Sequence, residues 1–252
     1  LQVAAMGLGC NNFGGRIDLE ASRKVVDKAL DLGITLFDTA DSYGAGRSER
    51  LLGRTFKGRR GRIIIASKGG MVYPRAMAFV VGIKPWLKPV KELLRPFRTS
   101  LNRAKYSVKH SDFSTRYLER ALAGSLKRLQ TDYLDLYQLH NPPPEVLARG
   151  KVFDALERFK REGKIRHYGV SFKTVEEADA GLRQHPGLSV MQVQVNLLDQ
   201  EAASRVLPLA QAQGIAVIAR VPLAQGLLTG ASEETKAEQI AVDPGAIARR
   251  KQ

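Results

Sequence analysis

Cysteine is almost absent from this sequence: Cys10 stands alone among 252 residues. A single thiol excludes an intramolecular disulfide, which fits a reducing cytoplasm, and its ordinary use is as small apolar packing. Long apolar runs are missing too. No stretch approaches the ~20 consecutive apolar residues of a membrane-spanning helix. The opening Leu1-Gln2-Val3-Ala4-Ala5-Met6-Gly7 has no basic segment leading into an apolar one, so no signal peptide is expected. It does not begin with Met, so further residues ahead of it are expected. Acidic residues are scarce: 25 Asp and Glu stand against 40 Lys and Arg, a net charge of +15. That excess suits an anionic partner, whether a phosphate-rich cofactor, a nucleic acid or an acidic membrane, and says nothing about fold. Zinc-finger spacing and RNA-binding aromatic signatures are lacking, so neither nucleic-acid binding nor a metal site is expected.

What is present is an alternation. Apolar residues make up 44% of the chain, enough for a full core in one domain. Short β-rich runs (Val3–Leu8, Ile34–Phe37, Ile63–Ala66, Tyr133–Leu139, His167–Val170, Val190–Val195 and Ile215–Ala219) alternate with amphipathic stretches such as Thr115–Leu129, Glu145–Arg161 and Glu201–Gln213. Asp18 reads as the cap of a first helix that stops at Gly33. Strands alternating with helices imply parallel pairing and right-handed crossovers. The length suits an α/β chain folded as a single (β/α)8 TIM barrel, which takes roughly 250 residues. The competing open doubly wound sheet is weakened because no Gly-x-Gly-x-x-Gly follows the first strand.

Two regions break the rhythm. Residues 71–112 form a long insertion after the third strand, and loops of that length are often functional. Within it Trp86, Leu87, Val90, Leu93, Leu94 and Phe97 recur at helical spacing beside Lys84, Lys88, Lys91, Arg95 and Arg98, with Pro85, Pro89 and Pro96 opposing one long helix. A lid, a packed rim helix and a basic helix docking on a membrane or a protein all fit this pattern. At the other end, Gly226-Leu227-Leu228-Thr229-Gly230 passes straight into a helix start, and an eighth strand is missing. Seven strands would leave unpaired edges, so residues are expected to be absent between about 228 and 232.

Four polar residues fall where a barrel gathers its chemistry, at or just past strand C-termini. Asp38 ends the second strand, Tyr43 follows five residues later, Lys68 ends the third and His140 the fourth. A phenol titrates near pH 10 and is a reluctant acid at neutrality; an adjacent ammonium favours its ionised form, and a carboxylate keeps that ammonium charged. An imidazole can orient a carbonyl oxygen. The set suits proton donation to an oxyanion formed by hydride addition. Singly, each has a plainer reading: a helix cap, a packed aromatic, a solvated lysine, a turn histidine.

Phe37-Asp38-Thr39-Ala40-Asp41-Ser42-Tyr43-Gly44, Ser67-Lys68 after an isoleucine run, and Tyr133-Leu134-Asp135-Leu136-Tyr137-Gln138-Leu139-His140 together resemble the aldo-keto reductase family, with the likeness running from near Leu1 to Gly230. The resemblance implies an NAD(P)H-dependent carbonyl reductase with Asp38, Tyr43, Lys68 and His140 as its tetrad and Tyr43 as general acid. It implies that Ser171 and Gln192 hold the nicotinamide carboxamide, with Phe172 standing where the family has Asn. Arg220, Pro222, Leu223, Gln225 and Gly226 resemble the loop that contacts cofactor phosphates, Arg220 replacing an aromatic. Ser232 and Lys236 resemble the adenosine-phosphate segment. Cys10 and Asp38 are further cofactor positions. NADPH is the expected cofactor, with NADH the alternative, and the expected partner is a small carbonyl compound. A nicotinamide-binding regulatory subunit with little turnover is the rival from another class. A lyase forming a Schiff base on Lys68 is the third reading.

Overall fold

Asp18 turns the chain into its first helix. In the computed structural model, which describes residues 3–15, 17–72, 110–185 and 188–229, Asp18 Oδ1 accepts the Ala21 N–H at 2.9 Å and satisfies one donor left open at the helix start. The helix, α1 (Leu19–Asp31), carries Glu20 in its first turn and Lys28 in its last, matching its dipole. It ends at Leu32, and Gly33 follows at φ +77°, a left-handed stop where a side chain would be strained.

The chain divides into two compact units. The first, Leu1–Pro142 with Arg149–Tyr168, opens with β1 (Gly7–Gly9), α1, β2 (Leu36–Asp38), α2 (Arg47–Thr55) and β3 (Ile64–Gly69). Next come β4 (Met71–Val72), β5 (His110–Ser111), α3 (Thr115–Leu129) and β6 (Leu134–His140). Strands β1, β2, β3 and β6 lie side by side in that order, each pair parallel. All seven residues of β6 are buried, as expected of a parallel strand covered on both faces. The β3–β6 register sets Lys68 beside Gln138 and Gly69 beside Leu139. Gly69 is required there, since a Cβ would stand 2.0 Å from the Tyr137 hydroxyl. α3 begins at Ser114, whose side chain accepts the Tyr117 N–H, and buries Leu118, Leu122 and Leu129 along one stripe. Truncating Leu122 to Ala would remove about 2–5 kcal/mol.

The expected insertion begins as an antiparallel ribbon: β4 pairs with β5 through Met71↔Ser111 and Val72↔His110. The apolar series around Trp86 and its basic partners lie outside the described residues, so the lid, rim and docking readings find no placement here.

After β6, α4 (Pro144–Ala148) belongs to the second unit, whereas α5 (Lys151–Arg161) belongs to the first. The single helix expected over 145–161 is therefore two, parted at Gly150, which sits at φ +71°. β7 (Ile165–Ser171) runs from the first unit into the second, which continues with α6 (Val175–Gln184), β8 (Val190–Gln194), α7 (Glu201–Arg205), α8 (Leu207–Ala212) and β9 (Ala216–Arg220). The expected 201–213 helix also splits, at Val206. Pro208 lacks an N–H and disfavours helical backbone before it, so it suits the first turn of a new helix. In this unit β7 pairs with β8 and β8 with β9, both parallel. Seven parallel strands thus fall among the described residues. The expected eighth does not, and the suspected join at 228–232 runs past residue 229, the last one described. Among the described residues no helix is long and apolar enough to cross a membrane.

Candidate active site

The C-terminal ends of β2, β3 and β6 bring three of the expected residues together. Lys68, 1% exposed, donates from Nζ to both carboxylate oxygens of Asp38, at 2.7 and 2.6 Å, and to the Thr39 carbonyl at 3.0 Å. Tyr43 enters from the loop after β2, where a 3₁₀ turn over Tyr43–Ala45 closes on left-handed Gly46. Its hydroxyl hydrogen-bonds the Lys68 ammonium, and Nζ stands 5.2 Å from its ring centroid. Burial opposes the Lys68 charge. The Asp38 carboxylate and then the Tyr43 hydroxyl more than restore it, so the amine holds its proton above the ordinary lysine value. His140, at the end of β6, packs edge-on against the Tyr43 ring, with centroids 5.9 Å apart at 84°. An ammonium that donates to a phenol stabilises the phenolate left behind after proton donation. The four residues thus lie together, Lys68 and His140 buried and Asp38 and Tyr43 half-buried, in an arrangement whose chemistry suits proton donation.

Residues not singled out from the sequence complete this site. Gln138, fully buried on β6, donates from Nε2 to Asp38 Oδ1 at 3.4 Å. The signal was a polar residue inside an otherwise apolar strand. Ser42 Oγ lies 3.4 Å from His140 Nδ1. Thr39 meets Ser48 at 2.8 Å, and Ser48 donates to the Cys10 carbonyl at 2.8 Å, tying the β1 and β2 ends to α2. Behind them Glu49, fully buried, accepts from Ser67 at 2.6 Å and from Arg128 Nε at 2.6 Å. Asp41 lies in this region with Oδ1 buried and without a hydrogen-bond partner among the described residues. Burial and then the Glu49 charge push its carboxyl up to about 8, against the smaller opposing pulls of Arg128, the Ser42 N–H and Lys68.

Cys10 is the buried filler its chemistry predicts: fully covered, its thiol donates to the Leu8 carbonyl at 3.4 Å. Burial, then Asp38, pushes that thiol far above the ordinary thiol value. Its N–H donates to the Asp38 carbonyl at 2.8 Å, which places it behind the carboxylate's backbone.

Cys10 and Asp38 apart, the expected cofactor residues belong to the second unit. Ser171, at the end of β7, and Gln192, midway along β8, are register partners, both nearly fully buried. A buried hydroxyl beside a buried side-chain amide offers donors and acceptors that complement a carboxamide, so the pair fits a nicotinamide. Phe172, in place of the family's Asn, turns into the packing. Its ring lies 2.5 Å from where a Gly181 Cβ would be, and its N–H donates to the Gln192 carbonyl at 2.8 Å. Arg220 Nη2 donates to the Lys173 carbonyl at 2.7 Å, holding the end of β9. Beyond it Pro222, Leu223 and Gln225 are exposed around a tight turn, with Val221 and Gln225 both at φ +56° and Gly226 at φ +96°. Ser232 and Lys236 lie outside the described residues. Among the described residues no group of His, Cys, Asp and Glu could hold a metal ion.

Residues 5–241 match the family model described as the Aldo/keto reductase family. The oxidoreductase YqkF of Bacillus subtilis (strain 168) is 33% identical over 229 residues, covering 91% of this chain and 64% of that relative; the chain spans less than two thirds of its length. The aldo-keto reductase AKR11C1 from Bacillus halodurans, in its holo form, superposes with a TM-score of 0.71 at 31% identity, over 92% of this chain and 66% of that one. An aldo/keto reductase from Klebsiella pneumoniae, in complex with NADP and acetate, gives 0.67 at 29% identity, over 90% and 68%. The fold is the α/β barrel expected from the alternation of strands and helices.

Proposed function

The chain belongs to the aldo/keto reductase family, and from that premise we propose that it reduces an aldehyde or ketone to the alcohol, with Tyr43 as proton donor. The observation that carries this reading is the buried Lys68 ammonium, hydrogen-bonded on one side to Asp38 and on the other to the Tyr43 hydroxyl. A bound reduced nicotinamide supplies the hydride. Ser171 and Gln192 hold its carboxamide, and the Arg220–Gly226 turn its phosphates. Tyr43 gives its proton to the developing alkoxide. Lys68 stabilises the phenolate that remains, Asp38 keeps Lys68 charged, and His140 aligns the carbonyl oxygen. NADPH is the proposed cofactor, with NADH the alternative: the Klebsiella structure holds NADP, and the net charge of +15 suits either phosphate-bearing cofactor without selecting between them. A Schiff-base role for Lys68 needs a free amine, which the hydrogen bonds to both Asp38 carboxylate oxygens disfavour. The buried lone thiol suits a cytoplasmic setting.

The test is consumption of NADPH and of NADH against a panel of small aldehydes and ketones, with the Y43F variant alongside. Turnover by the native chain, lost in Y43F while cofactor binding persists, is the expected result. Tight cofactor binding without turnover of any carbonyl would overturn the reductase reading in favour of a nicotinamide-binding regulatory subunit.

A further inference from the structure

Two successive residues of the loop after β2 reach the same imidazole. Ser42 Oγ lies 3.4 Å from His140 Nδ1, and the Tyr43 ring packs edge-on against it. Ser42 is 6% exposed and His140 8%, so water competes weakly for either group. The loop is held in place: Tyr43 N–H donates to the Ala40 carbonyl at 3.1 Å, Asp41 N–H to the Lys68 carbonyl at 3.1 Å, and Ser42 sits in unstrained right-handed backbone at φ −78°, ψ −19°.

A neutral imidazole carries one ring proton, and the nitrogen that keeps it is set by the partner of the other. A serine hydroxyl can donate or accept. The role given to His140 under the proposed function, aligning a carbonyl oxygen, requires a ring N–H aimed at that oxygen. With Nδ1 engaged by Ser42, that N–H is on Nε2. We infer that Ser42 is a positioning residue: its hydroxyl donates to His140 Nδ1 and thereby holds the ring proton on Nε2. A side chain without a hydroxyl at this position would remove that hold on Nδ1. The choice of the Nε2–H form rests on the reductase reading; the Ser42–His140 contact itself does not.

Nitrogen-15 NMR of histidine-labelled protein reads the tautomer directly, and H140Q identifies the His140 signal among the four histidines. The native chain and S42T should show His140 as the Nε2–H form. S42A should add an Nδ1–H population, and its kcat should fall about five- to tenfold, the worth of one such hydrogen bond, with cofactor affinity unchanged. A native His140 in the Nδ1–H form overturns the inference, as does an S42A spectrum identical to the native one. Should S42A fail to fold, the native and S42T spectra decide alone. If no carbonyl is turned over but S42A still shifts the tautomer, the reductase reading falls and the role of Ser42 stands.

Discussion

Among the carboxylates of the first unit that meet cations, Asp135 and Asp38 are built for different ends. Asp135, at the start of β6 and 2% exposed, accepts from Arg60 Nη2 at 2.7 Å and from the Ile65 N–H at 2.9 Å, with Arg166 Nη1 at 3.3 Å. Arg60 also donates to Thr131 Oγ1 and to the Ile63 and Tyr133 carbonyls, and both guanidiniums stack against the Tyr133 ring, at 4.0 and 4.2 Å. Nearly every partner there is a guanidinium or a backbone group, neither of which changes protonation. Asp38 faces an ammonium whose other side-chain partner is a phenol, a group that can release a proton. A buried ion pair is therefore not in itself a sign of chemistry; the third partner separates a structural clamp from a proton-handling site.

The sharpest way to break that contrast is Y43F, which removes the phenol that can release a proton. Its kcat should fall about a thousandfold, within the range of a general acid, with the thermal midpoint unchanged. Equal loss of stability and activity would erase the distinction. D135A should do the reverse. It strands Arg60 at the clamp and should cost about 3–5 kcal/mol in a denaturant titration, while turnover per folded molecule persists. Asp41 sharpens the comparison with a third carboxylate, one without a cation of its own. Its carboxyl is raised from 3.8 to about 8, so across that interval the folded chain keeps a proton that the unfolded chain has lost, and stability declines as pH rises. D41N cannot titrate, so its thermal midpoint should fall less than the native one between the acid and alkaline ends of that window; parallel curves would refute the assignment. The smallest effect is expected from Q138L. The Gln138 Oε1 is buried without a partner among the described residues, so losing the amide should cost little stability. Losing its bond to Asp38 should lower kcat by roughly two- to threefold, and an unchanged kcat would remove Gln138 from the site.

Much of this was legible in residue order. The strand ends carrying Asp38, Lys68 and His140 could be read because a strand buried on both faces is a short apolar run, and a polar residue at its end stands out. Gln138 was overlooked because it lies inside such a run, where a polar side chain has no local signature and only a neighbouring strand supplies its partner. Ser42 was passed over because its hydroxyl acts across 98 residues, on His140. The breaks in the 145–161 and 201–213 helices were marked by Gly150 and Pro208, but helical periodicity on both sides hid them.

By itself, the sequence determined the alternation of strand and helix, the caps at Asp18 and Ser114, and the residue types at the strand ends, because each depends on neighbours a few positions away. Only the tertiary structure decided that Lys68 would lie between Asp38 and Tyr43, that Gln138 would stand level with Lys68, and that Asp135 would be closed off by guanidinium and backbone. Those outcomes depend on register between strands, which joins residues 30 to 100 positions apart, and on burial, which makes a pairing in the fold stronger than the same pairing in water.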